Sequence, residues 1–205
     1  MIASQSNIAI VILAAGASKR MGEPKQLLKW GDTTLINHTI NTAVAVNAKE
    51  IILVLGAHFE LIKKNIDNSE VTLLNNVHWE KGLGTSIAFA VEYLQNSQSS
   101  VDGVLVILAD QPFIMSDFLK LMISKFVVSK NHIIATSYSD DKLGVPALFD
   151  ASYFEELSKL DDDFGAKLIL KKYHSEVIPL CPPTENMDLD TKLDYTNLYQ
   201  SNFKT

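Results

Sequence analysis

IAIVILAAGASKRMGEPK, residues 8–25, begins as an unbroken apolar run, gives way to small residues and ends basic. Ile8, Ile10, Val11, Ile12 and Leu13 predict a strand covered on both faces, as in the interior of a parallel sheet. Ala14, Ala15, Gly16, Ala17 and Ser18 carry so little side-chain bulk that their backbone N–H groups can approach a ligand closely, and Gly16 is free to take a positive φ. Lys19, Arg20 and Lys25 follow within one short segment, cations suited to neutralising and orienting phosphates. Pro24 stiffens the approach to Lys25. A strand-to-helix connection with a solvated basic turn would also account for small residues and lysines taken alone. The segment has neither the G-x-x-x-x-G-K-[ST] spacing of a P-loop nor the G-x-G-x-x-G dinucleotide fingerprint.

Beyond this stretch, strand and helix patterns alternate. Thr33 or Thr34 is placed to cap a helix presenting Ile36, Ile40, Ala43 and Val44. IILVLG, 51–56, predicts a second buried strand, Phe59, Ile62 and Ile66 recur at helical spacing, and VTLL, 71–74, predicts a third strand. This alternation predicts an α/β fold with a mostly parallel central sheet and helices on both faces. NNVHWEKGLGTS, 75–86, is a polar, glycine-bearing loop leading into a helix with Ile87, Ala90, Val91 and Leu94 on its inner face. VLVILAD, 104–110, is the most apolar strand and ends at Asp110, where open α/β sheets bind ligands. A carboxylate there can hold Mg²⁺ or cap a turn.

The second half reads as a helix on Leu119, Met122, Ile123 and Phe126, a strand at 133–138, a polar turn from Ser139 to Gly144, a helix over 150–160 and an acidic turn, Asp161 to Gly165. A helix on Ala166, Ile169, Leu170 and Tyr173 follows. EVIPL, 176–180, predicts an antiparallel edge strand, because Pro179 lacks a ladder donor. Asp188 and Asp190 face the same way on extended backbone and are both metal candidates. Thr191 is placed to cap a C-terminal helix.

With 47% hydrophobic residues in 205, the chain can bury one sizeable core, predicting a single domain over 1–205. A net charge of −6 argues against a general nucleic-acid or membrane-surface binder. Cys181 is the only cysteine, so no intrachain disulfide forms. The first residues lack a basic leader and the apolar run is too short to span a bilayer, which predicts a cytoplasmic protein. The serine-rich stretch from Ser97 to Ser100 reads as a surface loop, and the histidines are not at metal-ligand spacing.

Four blocks carry a resemblance. Leu13 to Gly16, Ser18, Arg20, Met21, Gly22, Pro24 and Lys25 fill L-A-A-G-x-S-x-R-M-G-x-P-K. Asn76, Trp79, Gly82 and Ser86 fill N-x-x-W-x-x-G-x-x-x-S, Asp110-Gln111-Pro112 follows the apolar strand, and 188–191 is close to D-I-D-T. By these the chain resembles the MocA-like molybdenum cofactor cytidylyltransferases within the wider MobA-like nucleotidyltransferases. It departs at Asp162, where the G-D-x-G-A pattern has glycine, and at Val145, where G-H-P is frequent.

The resemblance implies a three-layer, Rossmann-like nucleotide-diphospho-sugar transferase fold. It implies Mg²⁺-dependent transfer of CMP from CTP to the phosphate of molybdopterin or Mo-molybdopterin, giving the cytosine dinucleotide cofactor of xanthine dehydrogenase-type molybdoenzymes. Lys25, Arg20 and Asp110 would be catalytic. Leu13, Ala14, Ala15, Gly16, Ser18, Lys25, Asn76, Gly82 and Ser86 would bind nucleotide, and Asp110 and Asp190 would bind metal. Ala15, where GTP-using relatives have glycine, associates the chain with the CTP-using branch. Two alternatives stay open: transfer from GTP or another nucleotide to a sugar phosphate, and a non-catalytic chaperone delivering molybdenum cofactor.

Overall fold

In the computed structural model, which describes residues 6–97, 100–138, 142–183 and 188–203, the opening apolar run is a strand, β1 (Ile8–Leu13), buried at every position. Most of the N-terminal segment, Gln98 and Ser99, positions 139–141 of the polar turn and Met187 lie outside the described residues. β1 is the third strand of a seven-stranded sheet that also contains β4 (Glu50–Leu55), β5 (Val71–Asn75), β6 (Gly103–Leu108), β7 (Ile133–Ser137), β8 (Leu143–Asp150) and β9 (Val177–Leu180). Their order is β5-β4-β1-β6-β8-β7-β9. Only β8 runs against its neighbours. β9 is an edge strand as expected, but it pairs parallel to β7. The missing N–H of Pro179 restricts a strand to an edge and says nothing about its direction.

Successive side chains point to opposite faces, so β1 feeds two cores. Ile8, Ile10 and Ile12, with Leu53 and Leu105, pack beneath α1 (Leu35–Val44), α2 (Phe59–Lys63) and α4 (Ser116–Lys125) through Ile36, Ile40, Ile62, Leu119 and Met122. Ala9, Val11 and Leu13, with Val54 and Val106, pack beneath α3 (Leu83–Asn96), α5 (Phe154–Leu157) and α6 (Lys167–Lys172) through Ile87, Val91, Leu157 and Ile169. Each buried aliphatic side chain contributes ~1.5–3 kcal/mol, and the result is a three-layer α/β sandwich.

Thr34, not Thr33, caps α1, accepting the Asn37 N–H at 3.4 Å. The helix expected over 150–160 is shorter. Asp150 accepts the Ser152 N–H at 2.9 Å, the chain makes a single 3₁₀ turn over Ala151–Tyr153, and α5 covers four residues.

At the end of the chain Thr191 and Asp194 cap α7 (Lys192–Phe203) reciprocally: Thr191 N–H reaches Asp194 Oδ2 at 2.8 Å and Asp194 N–H reaches Thr191 Oγ1 at 3.2 Å. α7 lies against the short hairpin β2 (Lys29–Trp30) and β3 (Thr33–Thr34). Trp30, Leu35 and Leu189 form a small third core with Tyr195, Leu198 and Tyr199, and Phe203 meets the Trp30 ring edge-on at 5.2 Å. Leu189, fully buried there, fixes the carboxylates on either side of it. Among the described residues no helix is long and apolar enough to cross a membrane.

Candidate active site

The C-terminal ends of β1 and β6 open onto a cleft of about 460 Å³. Leu13, Ala14, Ala15, Gly16, Ser18, Arg20, Lys25, Gly82, Ser86, Asp110 and Asp190 all line it. Asn76 does not. Its amide donates to Thr85 Oγ1 at 3.1 Å and Ser86 Oγ at 3.0 Å, while its carbonyl accepts the His78 N–H at 2.9 Å. It is a buried brace behind Ser86, not a lining residue.

The loop after β1 is pinned by its carbonyls. Gln26 Nε2 donates to Ala14 O at 2.8 Å and Gly16 O at 3.0 Å, and Ala57 N–H donates to Ala15 O at 2.9 Å. The N–H groups of Ala15, Gly16, Ala17 and Ser18 find no acceptor among the described residues. The residue with positive φ is Ser18, at 53°, and not Gly16. What Gly16 supplies is space: a Cβ built on it would meet nothing within 4 Å, so the surface beside it is open to a ligand. Gln26, only 2% exposed, was not singled out from the sequence, because an uncharged residue after a lysine gives no signal of a main-chain contact.

The opposite wall is built from close backbone approaches. A Cβ on Gly82, whose φ is 119°, would lie 2.5 Å from Asp163 Oδ1 and 2.7 Å from Asp162 O. Gly84 N–H donates to that Asp162 carbonyl at 2.8 Å. Trp79 packs on Gly56, where a Cβ would lie 2.6 Å from the Trp79 Cβ.

At the foot of the cleft, cations and carboxylates meet. Lys25 Nζ donates to Asp110 Oδ2 and lies 3.3 Å from Leu189 O and 3.7 Å from Asp190 Oδ1. Arg20 pairs with Asp190 Oδ2 at 3.0 Å from a largely exposed position. Asp110 Oδ1 is buried and has no hydrogen-bond partner among the described residues. Asp188 leaves the cleft to Asp190: its Oδ1 accepts from Gln111 Nε2 at 3.0 Å. Burial holds the Asp188 carboxyl above its ordinary range, opposed by the Gln111 hydrogen bond and by Lys25, and reinforced by Asp110 and Asp190.

Among the described residues no group of three His, Cys, Asp or Glu forms a ready metal cage. Two carboxylates beside Lys25, one with an oxygen left unpartnered among the described residues, at the foot of a cleft large enough for a small-molecule ligand fit a hard divalent cation, which takes one or two carboxylates and completes its shell with substrate phosphates and water.

Residues 10–177 match the MobA-like NTP transferase domain. The chain belongs to this family. The family is named for the transfer of nucleoside triphosphates. Among relatives, the molybdenum cofactor cytidylyltransferase of Escherichia coli K12 is 36% identical over 91 residues, 44% of this chain and 47% of that protein. The nicotine blue oxidoreductase of Paenarthrobacter nicotinovorans is 27% identical over 194 residues, 88% of this chain and 91% of that one. The bifunctional protein GlmU of Buchnera aphidicola is 29% identical over 85% of this chain, which spans only 37% of GlmU.

The crystal structure of Rv0371c from Mycobacterium tuberculosis superposes with a TM-score of 0.80 at 28% identity, covering 96% of this chain and 99% of that one. Rv0371c has also been solved in complex with manganese. In this MobA-like chain Asp190 and α7 lie beyond the matched span, so the family domain supplies the loop, Lys25 and Asp110 while the C-terminal segment brings in the second carboxylate beside Lys25.

Proposed function

We propose that this nucleotidyltransferase moves CMP from CTP to the phosphate of molybdopterin or Mo-molybdopterin, releasing pyrophosphate. The observation that carries the reading is Lys25 joining Asp110 to Asp190 beneath a loop whose N–H groups are unengaged among the described residues. A phosphate monoester is already ionised at neutral pH, so no enzyme nucleophile is required. An acceptor phosphate oxygen forms a bond to the α-phosphorus as the bond from the α-phosphorus to the β-bridging oxygen breaks, and pyrophosphate departs. Catalysis then consists of positioning and charge stabilisation.

The loop N–H groups of Ala15 to Ser18 receive phosphate oxygens, Arg20 and Lys19 hold the departing phosphates, and Lys25 faces charge developing at the α-phosphate. Asp110 and Asp190 would hold Mg²⁺, which supplies Lewis-acid polarisation of the phosphoryl group. The manganese complex of Rv0371c supports a divalent ion in this fold. The name of the E. coli relative supports the acceptor, and Ala15 supports CTP. Strands drawn from residues 8 to 180 into one sheet, with α7 packed back on the β2–β3 hairpin, support one domain over the whole chain. A xanthine dehydrogenase-type molybdoenzyme would consume the product.

The deciding assay incubates the purified protein with Mg²⁺, each ribonucleoside triphosphate in turn, and either molybdopterin or a sugar 1-phosphate, and follows pyrophosphate. Release with CTP and molybdopterin alone is expected. Product from a sugar phosphate but not molybdopterin would overturn the acceptor. Redox turnover of nicotine blue without any triphosphate requirement would favour the chemistry named for the Paenarthrobacter relative. If Asp110→Asn still activated an apo-hydroxylase as well as the unaltered chain, the protein would be a delivery chaperone.

A further inference from the structure

We infer that Gln26 is a positioning residue for the nucleotide's phosphates, setting the direction in which the loop after β1 presents its N–H groups; this rests on the nucleotidyl-transfer reading of the cleft. A primary amide that is 2% exposed must find partners or carry a desolvation cost. Gln26 finds them in the loop's main chain, at Ala14 O (2.8 Å) and Gly16 O (3.0 Å). Its own carbonyl accepts from Ser18 Oγ at 3.4 Å, and that hydroxyl accepts the Lys25 N–H at 3.1 Å. One side chain thus ties alternate residues of the loop to the segment that carries Lys25.

The consequence follows from peptide geometry. In a planar trans peptide the C=O of one residue and the N–H of the next point in opposite directions. With the carbonyls of Ala14 and Gly16 held on the Gln26 side, the N–H groups of Ala15 and Ala17 must point away from it. The Ala15 carbonyl, held by Ala57 N–H, turns the Gly16 N–H away from that strand end in the same manner. Ala15, Gly16 and Ala17 line the cleft, and none of these three N–H groups has an acceptor among the described residues. Gln26 borders the cleft, but its amide nitrogen is engaged on the two loop carbonyls, so its part is to aim the N–H groups that meet the ligand.

The test uses the full chain with Gln26→Leu, which removes all the side chain's hydrogen bonds, and Gln26→Glu, which puts a second oxygen against the two loop carbonyls. Calorimetric titration with inorganic pyrophosphate and Mg²⁺ reads phosphate binding independently of base and acceptor. Both variants are expected to weaken it by about tenfold or more, since buried carbonyls left without donors no longer hold the loop. In turnover, KM for the nucleotide should rise while kcat and the acceptor's KM change little. A role confined to folding would instead lower kcat with the active fraction and leave KM and pyrophosphate affinity unmoved, and that result overturns the inference. Should Gln26→Leu not fold, Gln26→Glu and Ser18→Ala carry the same comparison, the latter with a smaller rise. Unaltered pyrophosphate binding in a chain that makes no nucleotidyl product with any acceptor would sink the proposed function. Variants that bind like the parent sink only the role of Gln26.

Discussion

Asp110 has one carboxylate oxygen on Lys25 and the other buried without a partner among the described residues, an arrangement that is costly unless a further cation or donor reaches it during function. Asp110→Asn keeps the shape and removes the charge. Pyrophosphate release is expected to fall by ~100–1,000-fold, the scale for losing one preorganised electrostatic contact, with a thermal midpoint near that of the parent as the control for folding. Lys25 is the subtler residue. Of the four oxygens of Asp110 and Asp190, three already face Lys25 or Arg20, so a divalent ion using both carboxylates competes with resident cations. Lys25→Met is therefore expected to abolish turnover yet tighten Mn²⁺ binding in the absence of nucleotide, measured as loss of the free-ion electron paramagnetic resonance signal. Weaker Mn²⁺ binding would show that Lys25 organises the carboxylates and does not compete for them. The charged members of this site were legible in the sequence because charge next to a strand end is itself a signal. Gln26 and the left-handed Ser18 were not, since their roles lie in hydrogen bonds to main chain that no periodicity or net charge encodes.

Between elements, the cleft's width depends on how closely backbone segments approach. Gly56 ends β4, and a Cβ there would lie 2.6 Å from the Trp79 Cβ and 2.9 Å from Ala15 O, so it would press both walls of the cleft at once. Gly56→Ala is expected to cost about 1–3 kcal/mol in denaturant unfolding and to raise the nucleotide KM, because the displaced carbonyl belongs to the phosphate-facing loop. An unchanged KM would mean that Trp79 alone gives way. The strands and helices on the two faces were readable from apolar runs and 3.6-residue spacing. β8 was not, either as a strand, since Gly144 and Pro146 interrupt it beside a polar turn, or in its antiparallel direction, because alternation records which face a side chain takes and not which way the strand runs. The two-residue strands of the β2–β3 hairpin are too short to hold a period.

For the molecule as a whole, acid should loosen one inter-element contact. Glu156 on α5 accepts from Lys172 at 2.7 Å and from Tyr173, and these hydrogen bonds, Lys172 first, pull its carboxyl below its ordinary 4.5 against a smaller opposing effect of burial. A depressed carboxyl stabilises the fold above its unfolded pKa, and that contribution disappears as pH falls through the folded value. Because the Glu156–Lys172 pair is half exposed, Glu156→Gln should cost under about 1 kcal/mol at neutral pH, with its urea midpoint converging on the parent's in acid below the folded pKa. A gap that persists there would place the effect in packing. The larger division in the molecule lies between the sheet with its two cores, which the family match spans except for the start of β1 and most of β9, and the C-terminal strap that seats Leu189 against Trp30 and Asp190 beside Lys25 and Arg20. α7 contributes to neither main core. Deleting 192–203 should therefore leave cooperative unfolding and the far-ultraviolet dichroism of the sheet in place while turnover falls at least ~100-fold, because Asp190 loses the anchor that holds it over Lys25. If the shortened chain turns over normally, the second carboxylate of the cleft is dispensable and Asp110 alone holds the metal.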